Sequence, residues 1–487
     1  MIRELLFSYL LIFGGFGTVS RSKVIQQSPL LAMVILLPIG VVLFTFSCAL
    51  VYVFGINYPL IGLSLMIIIS LYELYKTKQD NDLSRINQIT LLSSLGITTA
   101  LLLLIRILVS PVLTFDSYKI IISGKSFGSS IFSFESPELA SFPFMVTNFQ
   151  AGTELFNFSY TVYLPAVTGF LSMIGAIIII SNLISPSRKH SLIFGAIVLM
   201  TILAFGSFTY MLRMQFGYLN SHLLMAGYYS LGFATCLRGN DKSEKSRFLH
   251  LSALLIGSIA FIRLEGLLLM TLLIISFVSM NNISRKNLVK FCAIALVAPG
   301  LWYLRLAIAG ASGSTIISPR NTILMLLMAI TPLILSWWRQ SLKVVDYLPN
   351  LTIIGLVCIF CLLLLTREQA IESSLIFLAN TVGTGYWGAF WWTFGPLTIV
   401  GLSLGPRIKH EIVWLTALGG GLLLILLLGA IRTDPYRIGW GDSGNRMLVH
   451  IAPLAVLYIA VKVHACFGKS DDIADEQMPN LTCEETK

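Results

Sequence analysis

The chain has 487 residues, 56% of them hydrophobic and only 11% charged, with a mean hydropathy of +0.83. Soluble domains carry about 25% charged residues, so this composition excludes a soluble globular protein and predicts an all-α integral membrane protein. The net charge of +10 does not point to nucleic acid, because the Lys and Arg residues are spread singly through short connections and form no single basic face.

In chain order, the first apolar segment, 5–16, precedes Arg21 and Lys23 and lacks a small-residue cleavage site, so it reads as a retained helix. Apolar runs at 29–55, 91–109, 160–184, 412–431 and 447–463 are near or above the length that spans a bilayer. Counting the shorter runs as well, about 13–15 transmembrane helices are expected. The seven cysteines lie mostly inside such runs. The pair in "CIFC", Cys358 and Cys361, lacks the second pair that would complete a zinc site, so they read as small buried hydrophobes. The C-terminal "KSDDIADEQMPNLTCEETK" is polar and acidic and reads as a short disordered tail.

Charge fixes the expected topology. The connections bearing Arg21/Lys23, Lys76/Lys78/Arg85, Arg188/Lys189, Lys242/Lys245/Arg247, Arg285/Lys286/Lys290, Arg339/Lys343 and Arg407/Lys409 all fall on one side if 250–263 and 266–280 are two short crossings that turn at "RLEG". An excess of Lys and Arg marks that side as cytoplasmic. The crossings are short for a bilayer, so neighbouring helices must shield them or the bilayer must thin there. The N-terminus then faces out and the acidic tail faces the cytoplasm. The non-cytoplasmic face collects a long first loop, 111–159, carrying short interfacial helices, then the "RLEG" turn, "ASGSTIISPR" up to Arg320, "TREQAIESS", and "RTDPYRIGWGDSGNR" at 432–446. Arg263 and Glu265 would sit at the outer end of a helical hairpin, solvated or paired instead of stranded in hydrocarbon.

The outer segments carry the chemistry. In "LTFDSYK", Asp116 follows shortly after a long helix, where a carboxylate can be held in place as a base. Alternatively, Asp116 or Ser117 caps an interfacial helix. Glu135 and Glu138, among aromatics, suit the solvated face of an amphipathic segment. The last outer loop holds Arg432, Asp434, Arg437, Asp442 and Arg446 around Tyr436 and Trp440. Its net cationic character suits phosphate, which Arg binds through forked, charge-assisted hydrogen bonds; the other reading is mutual Arg–Asp pairing. Arg320 and Arg213 can be read as snorkelling side chains and nothing more.

Several segments in order, "FDSYKIIISGKSF", "SFPFMVTNFQAGTELFNFSYTVYLPAVTGFL", "YLNSHLLMAGYYSLGFATCLRG", "LLIGSIAFIRLEGLLLMTLL", "APGLWYLRLAIAG" and "GDSGNRMLVHIAPL", resemble the polytopic glycosyltransferases of the GT-C class. Those enzymes use polyprenyl-phosphate-linked sugar donors, and the likeness covers about 91–465 of the chain. It implies a GT-C-like core at 89–466, preceded by accessory transmembrane helices at 1–88 and followed by the tail at 467–487. It also implies Asp116 as the catalytic base, an Arg-x-Glu-Gly turn at Arg263, Glu265 and Gly266, and a C-terminal Asn-Arg at Asn445 and Arg446.

The chain departs from the pattern in three places. Ser117 and Tyr118 follow Asp116 where many relatives carry a second carboxylate, His222 stands where relatives often have an acid, and Met447 follows Arg446 where Tyr is expected. No metal ligand is assigned; no cofactor is implied with certainty, and a divalent metal stays open.

The resemblance implies transfer of a sugar from a polyprenyl-phosphate donor to a hydroxyl of a lipid, glycan or protein acceptor at the non-cytoplasmic face of the membrane, with inversion. A phosphate leaves as an anion, so one base suffices. Positive charge for it comes from Arg446, with Arg432, Arg437 or Arg320 assisting. Tyr118, His222, Arg263, Glu265, Asp442 and Asn445 support the site, and the lipid tail lies in a groove between helices. The rival readings are a lipid or solute carrier or flippase, and a non-catalytic membrane subunit.

Overall fold

The computed structural model describes residues 2–22, 24, 28–53, 59–77, 84–129, 144–156, 160–184, 188–219, 221–238, 245–263, 265–280, 284–308, 319–338, 344–408, 410–432 and 434–467. Among these, regular structure is helical throughout, and the sole extended pairing is an isolated parallel bridge between Val112 and Tyr218. Glu135, Glu138 and the acidic tail lie outside the described residues, as do the side chains of Asp116 and Arg320.

The helices are α1 (Ile2–Arg21), α2 (Pro29–Val53), α3 (Pro59–Thr77), α4 (Ser84–Leu108), α5 (Phe115–Ser129), α6 (Phe144–Leu155) and α7 (Tyr163–Ile184). They continue with α8 (Arg188–Phe208), α9 (Tyr210–Gly217), α10 (His222–Arg238), α11 (Lys245–Ile259), α12 (Gly266–Met280) and α13 (Arg285–Ile308). After these come α14 (Pro319–Trp337), α15 (Val344–Thr366), α16 (Glu368–Ala379) running into a π-turn at Asn380–Thr384, α17 (Phe390–Leu404) and α18 (Glu411–Ile431). Short α19 (Ser443–Met447) and a 3-10 turn (Leu448–His450) lead into α20 (Ala452–Phe467).

Among the described residues, eight helices are long and apolar enough to cross a membrane, or nine if the pair 443–450 and 452–466, bent by 41°, counts as one span. Further apolar helices are shorter, including α12 and the apolar parts of α8, α11, α14 and α17. The chain is therefore an all-helical, multi-pass membrane protein. Exposed Leu104, Ile197, Leu327, Ile354, Leu362 and Ile399 give α4, α8, α14, α15 and α17 the outward apolar faces that lipid requires.

The segments on either side of "RLEG" are two short helices, and of the described residues between them, 260–262 and 265 form turns. With 15 residues each, α11 and α12 are about 22 Å long against roughly 30 Å of hydrocarbon. They are tolerated because neighbours sheathe them: nearly every residue of α12 is buried, packed against α10, α11, α14, α15 and α18. Gly266 makes the turn possible, since a Cβ there would overlap the Ile259 carbonyl. Glycine also lets helices approach closely, as where Gly169 of α7 meets Gly227 of α10 backbone to backbone. Small residues of this kind let membrane helices gain dispersion contacts that lipid cannot supply.

Contacts sort the helix ends into two sets. At one end Arg21 pairs with Glu73, Arg285 lies over Trp337, and Lys462 bonds Glu411 and the Pro406 carbonyl. The other end is loop-rich. There the Met145 N–H donates to the Phe261 carbonyl (2.9 Å), the Tyr303 hydroxyl to the Ala260 carbonyl (2.8 Å) and the Asn380 amide to the Arg437 carbonyl (2.8 Å). Helix α2 runs through the middle of the bundle, almost wholly buried, and its Pro38 carbonyl accepts from Tyr228 of α10 (2.6 Å).

Candidate functional site

At the loop-rich end, three groups of polar side chains meet. The first surrounds Arg263. Its Nε donates to the Glu265 carboxylate, and its Nη1 donates to Ser221 Oγ and to His222 Nε2, each at 3.2 Å. His222 Nδ1 in turn lies 2.8 Å from His450 Nε2, with the two rings stacked at a centroid distance of 5.0 Å.

The donor order fixes the tautomers. Nε2 of His222 accepts from a guanidinium, so its proton is on Nδ1 and is donated to His450, whose own proton is then on Nδ1. Both imidazoles are fully buried. Burial pushes the Glu265 carboxyl up, but the Arg263 guanidinium and the hydrogen bonds to the carboxylate outweigh that and hold it below its ordinary value. The "RLEG" pair is thus joined internally and also locks Ser221, His222 and His450 in place.

The second group carries the first outer loop. Thr114 caps α5: its N–H donates to Ser117 Oγ (3.2 Å), and its Oγ1 accepts from the Ser117 N–H (3.5 Å). Of the two capping candidates at 116–117, Ser117 therefore takes part, and Asp116 stands in the first helical turn. The bridge from Val112 to Tyr218, with the Val112 N–H donating to the Gly217 carbonyl (2.7 Å), brings this turn against the end of α9. There the Tyr218 phenol oxygen accepts from Thr114 Oγ1 (3.1 Å) and from Arg446 Nη1 (2.8 Å), and Trp440 packs edge-on to its ring. Thr114, Tyr218 and Arg446, far apart in sequence, thus meet at the turn whose backbone carries Asp116.

The third group holds Arg446 from behind. Asp442 caps α19, accepting from the Asn445 N–H (3.0 Å) and from the Arg437 N–H (2.9 Å). The Asn445 side chain accepts from Trp387 Nε1 (2.5 Å) and donates to the Gly385 and Gly439 carbonyls (3.0 and 3.2 Å). Asn380 closes the same seam, accepting from the Gly439 N–H (2.9 Å). The oxygens of Asp442 serve backbone N–H groups, so its role here is to shape the turn.

The other sequence candidates lie further out. Arg432 is exposed, donates to Ser443 and lies over Tyr436. Arg437 and Tyr118 are exposed. Arg320 is in the first turn of α14. Among the described residues, no group of three or more His, Cys, Asp or Glu side chains lies together as a metal site would require.

Beside the polar cluster runs a groove of about 630 Å³, lined almost wholly by apolar side chains of α4, α7, α8, α9, α10 and α20. Its lining includes Val109, Phe216, Leu223 and Val449, and within one to five residues of these along the chain stand Thr114, Tyr218, His222, Arg446 and His450. Arg213 is the charged lining residue, with its guanidinium over the Tyr210 ring. The Tyr210 ring also meets that of Tyr386, which is held in a left-handed backbone conformation (φ 63°). Left-handed non-glycine residues of this kind mark sites where surrounding structure over-determines the backbone.

Several of these residues were not evident in the sequence. His450 follows Arg446 by one helical turn, which was its only signal. Tyr218 opens the quoted "YLNSHLLMAGYYSLGFATCLRG" without a charge to mark it, and Asn380 and Trp387 gave no signal.

Comparison of the chain with protein-family models, with curated proteins and with solved structures finds no match in any of the three. The fold and site define the class, a helical multi-pass membrane protein with a polar cluster at one end of its bundle beside an apolar groove.

Proposed function

We propose that the protein is a membrane glycosyltransferase that moves a sugar from a polyprenyl-phosphate donor to an acceptor hydroxyl at the non-cytoplasmic face, with a GT-C-like arrangement of helices. The observation that carries this reading is the adjacency of the apolar groove to the turn bearing Asp116, Tyr218 and Arg446. An amphiphile with a long apolar chain and a phosphate head needs such a pairing, a lipid-compatible slot that ends at fixed cations.

In this reading the chain of the donor lies in the groove, its phosphate faces Arg446, and Arg213 stands along the way. Asp116 takes the proton of the acceptor hydroxyl as that oxygen attacks the anomeric carbon. The bond from the anomeric carbon to the phosphate oxygen breaks, the electron pair leaves with the lipid phosphate, and the configuration inverts. Arg446, oriented by Tyr218 and held from behind by Asn445 and Asp442, stabilises the developing charge without reorganising. The Arg263 cluster acts as a bracket that sets the position of the segment leading from Tyr218 to His222.

The test is sugar transfer by purified protein in lipid with a panel of polyprenyl-phosphate sugars, comparing wild type with Arg446→Ala. Donor-dependent product with wild type, lost in the variant, supports the reading. Transbilayer movement of donor by folded wild type with no sugar transferred would instead favour a carrier.

A further inference from the structure

Helix α1 precedes the region that carries the GT-C resemblance, yet its Glu4 reaches the loop-rich end and is buried. Its two carboxylate oxygens are engaged on different sides. Oε1 accepts from Thr161 Oγ1, just before α7, and Oε2 is 3.8 Å from Arg106 Nη1 in the last turn of α4. Those two positions are the two ends of the first outer loop, so Glu4 spans its neck.

The neck is tied again beside it. The Tyr163 hydroxyl donates to the Val109 carbonyl (3.1 Å). The Gln150 amide grips the backbone of Thr161 from α6, donating to its carbonyl (2.7 Å) and accepting from its N–H (3.1 Å). One helical turn along α1, Phe7 packs on Gly152 and on the Phe156 ring. Helix α5 packs on α6 at Gly124, so α1, α6 and α5 form a continuous stack that ends at the turn bearing Asp116.

We propose that Glu4 is a positioning residue, which clamps the neck of the first outer loop and thereby fixes where α5 presents Asp116. This rests on the glycosyltransferase reading for the role of Asp116, but the clamp itself does not. The Thr161 side of this clamp is buried and costly to break, and the half-exposed Arg106, 3.8 Å from the other oxygen, adds a weaker ion pair, so that Glu4 ties both sides of the neck as a lock. The chemistry needs such a lock, because a displaced base loses rate much more than it loses donor affinity.

The experiment uses full-length protein in lipid nanodiscs and compares wild type with Glu4→Gln, which keeps an acceptor for Thr161, and Glu4→Ala, which does not. Hydrogen exchange is read in α5 and α6, with α13 and α15 as internal controls. In Glu4→Ala, exchange of α5 and α6 is expected to rise about ten- to a hundredfold while the controls stay unchanged, and Glu4→Gln is expected to fall between. Transfer should drop in kcat with KM for the donor within about twofold. Unchanged exchange in α5 and α6 of Glu4→Ala, or an equal rise in every helix, would overturn the clamp. If wild type transfers no sugar from any donor, the enzymatic reading fails, and the exchange data still decide the clamp.

Discussion

Arg446 donates to the phenol oxygen of Tyr218 at 2.8 Å, across 228 residues of sequence, and the same oxygen accepts from Thr114 at 3.1 Å. One buried hydroxyl thus joins the last outer loop to the helix that carries Asp116. Tyr218→Phe keeps the ring and removes that junction, depriving the half-buried Arg446 and Thr114 donors of this acceptor, a loss of about 1–3 kcal/mol. The variant is expected to fold and to lose about ten- to a hundredfold in kcat/KM, measured by steady-state transfer.

The Arg263–Glu265 pair is partly buried, with side-chain exposures of 23% and 12%. Removing one partner leaves the other charge stranded, so Arg263→Ala should destabilise by on the order of 3 kcal/mol in denaturant unfolding within micelles. Adding Glu265→Gln to the Arg263 variant should recover much of that loss, because the stranded charge is gone. Equal stability of the single variant and wild type would contradict the bracket.

Burial raises the Glu265 carboxyl, but the Arg263 guanidinium and the hydrogen bonds to the carboxylate outweigh it, so Glu265 titrates below its ordinary value. A carboxyl with a depressed folded value binds fewer protons folded than unfolded through that window. Its contribution is therefore fully present above the unfolded value and is lost as pH falls toward the folded one. Thermal unfolding of wild type should weaken in acid below the ordinary glutamate range, and Glu265→Gln should flatten that limb while leaving the neutral plateau lower.

Arg213 lines the groove, whereas Arg446 is not among its lining residues. If Arg213 meets the donor on its way to Arg446, Arg213→Gln should raise KM about tenfold and leave kcat within about twofold, the signature of lost ground-state binding. The same measurement on Leu104→Trp, which narrows the groove from its exposed side, should raise KM more for longer lipid chains than for shorter ones.

Much of the architecture was legible because membrane helices announce themselves by apolar length. The two short helices flanking "RLEG" were placed by loop charge; of the two accommodations offered for their shortness, the burial of α12 among its neighbours agrees with shielding. The polar cluster was legible where charge marks it, at Arg263, Glu265, Asp442 and Arg446, and at Asn445 through the resemblance. It was hidden where the group is neutral and its partner distant in sequence: His450 and Tyr218 bond across 228 residues, Asn380 across 57 and Trp387 across 58. Glu4 was hidden for a different reason, since an acid near the start of an apolar helix looks like an ordinary first-turn charge. Only the packing of α4 and α7 around it gives it two partners.

The most direct measurement is single-turnover transfer by Asp116→Asn in lipid, with donor binding measured on the same sample. If Asp116 is the base, donor binding should match wild type while the transfer rate falls by about 10²–10⁴-fold, the range for loss of a general base. Transfer at the wild-type rate in Asp116→Asn, with donor bound equally well, would contradict the proposed mechanism.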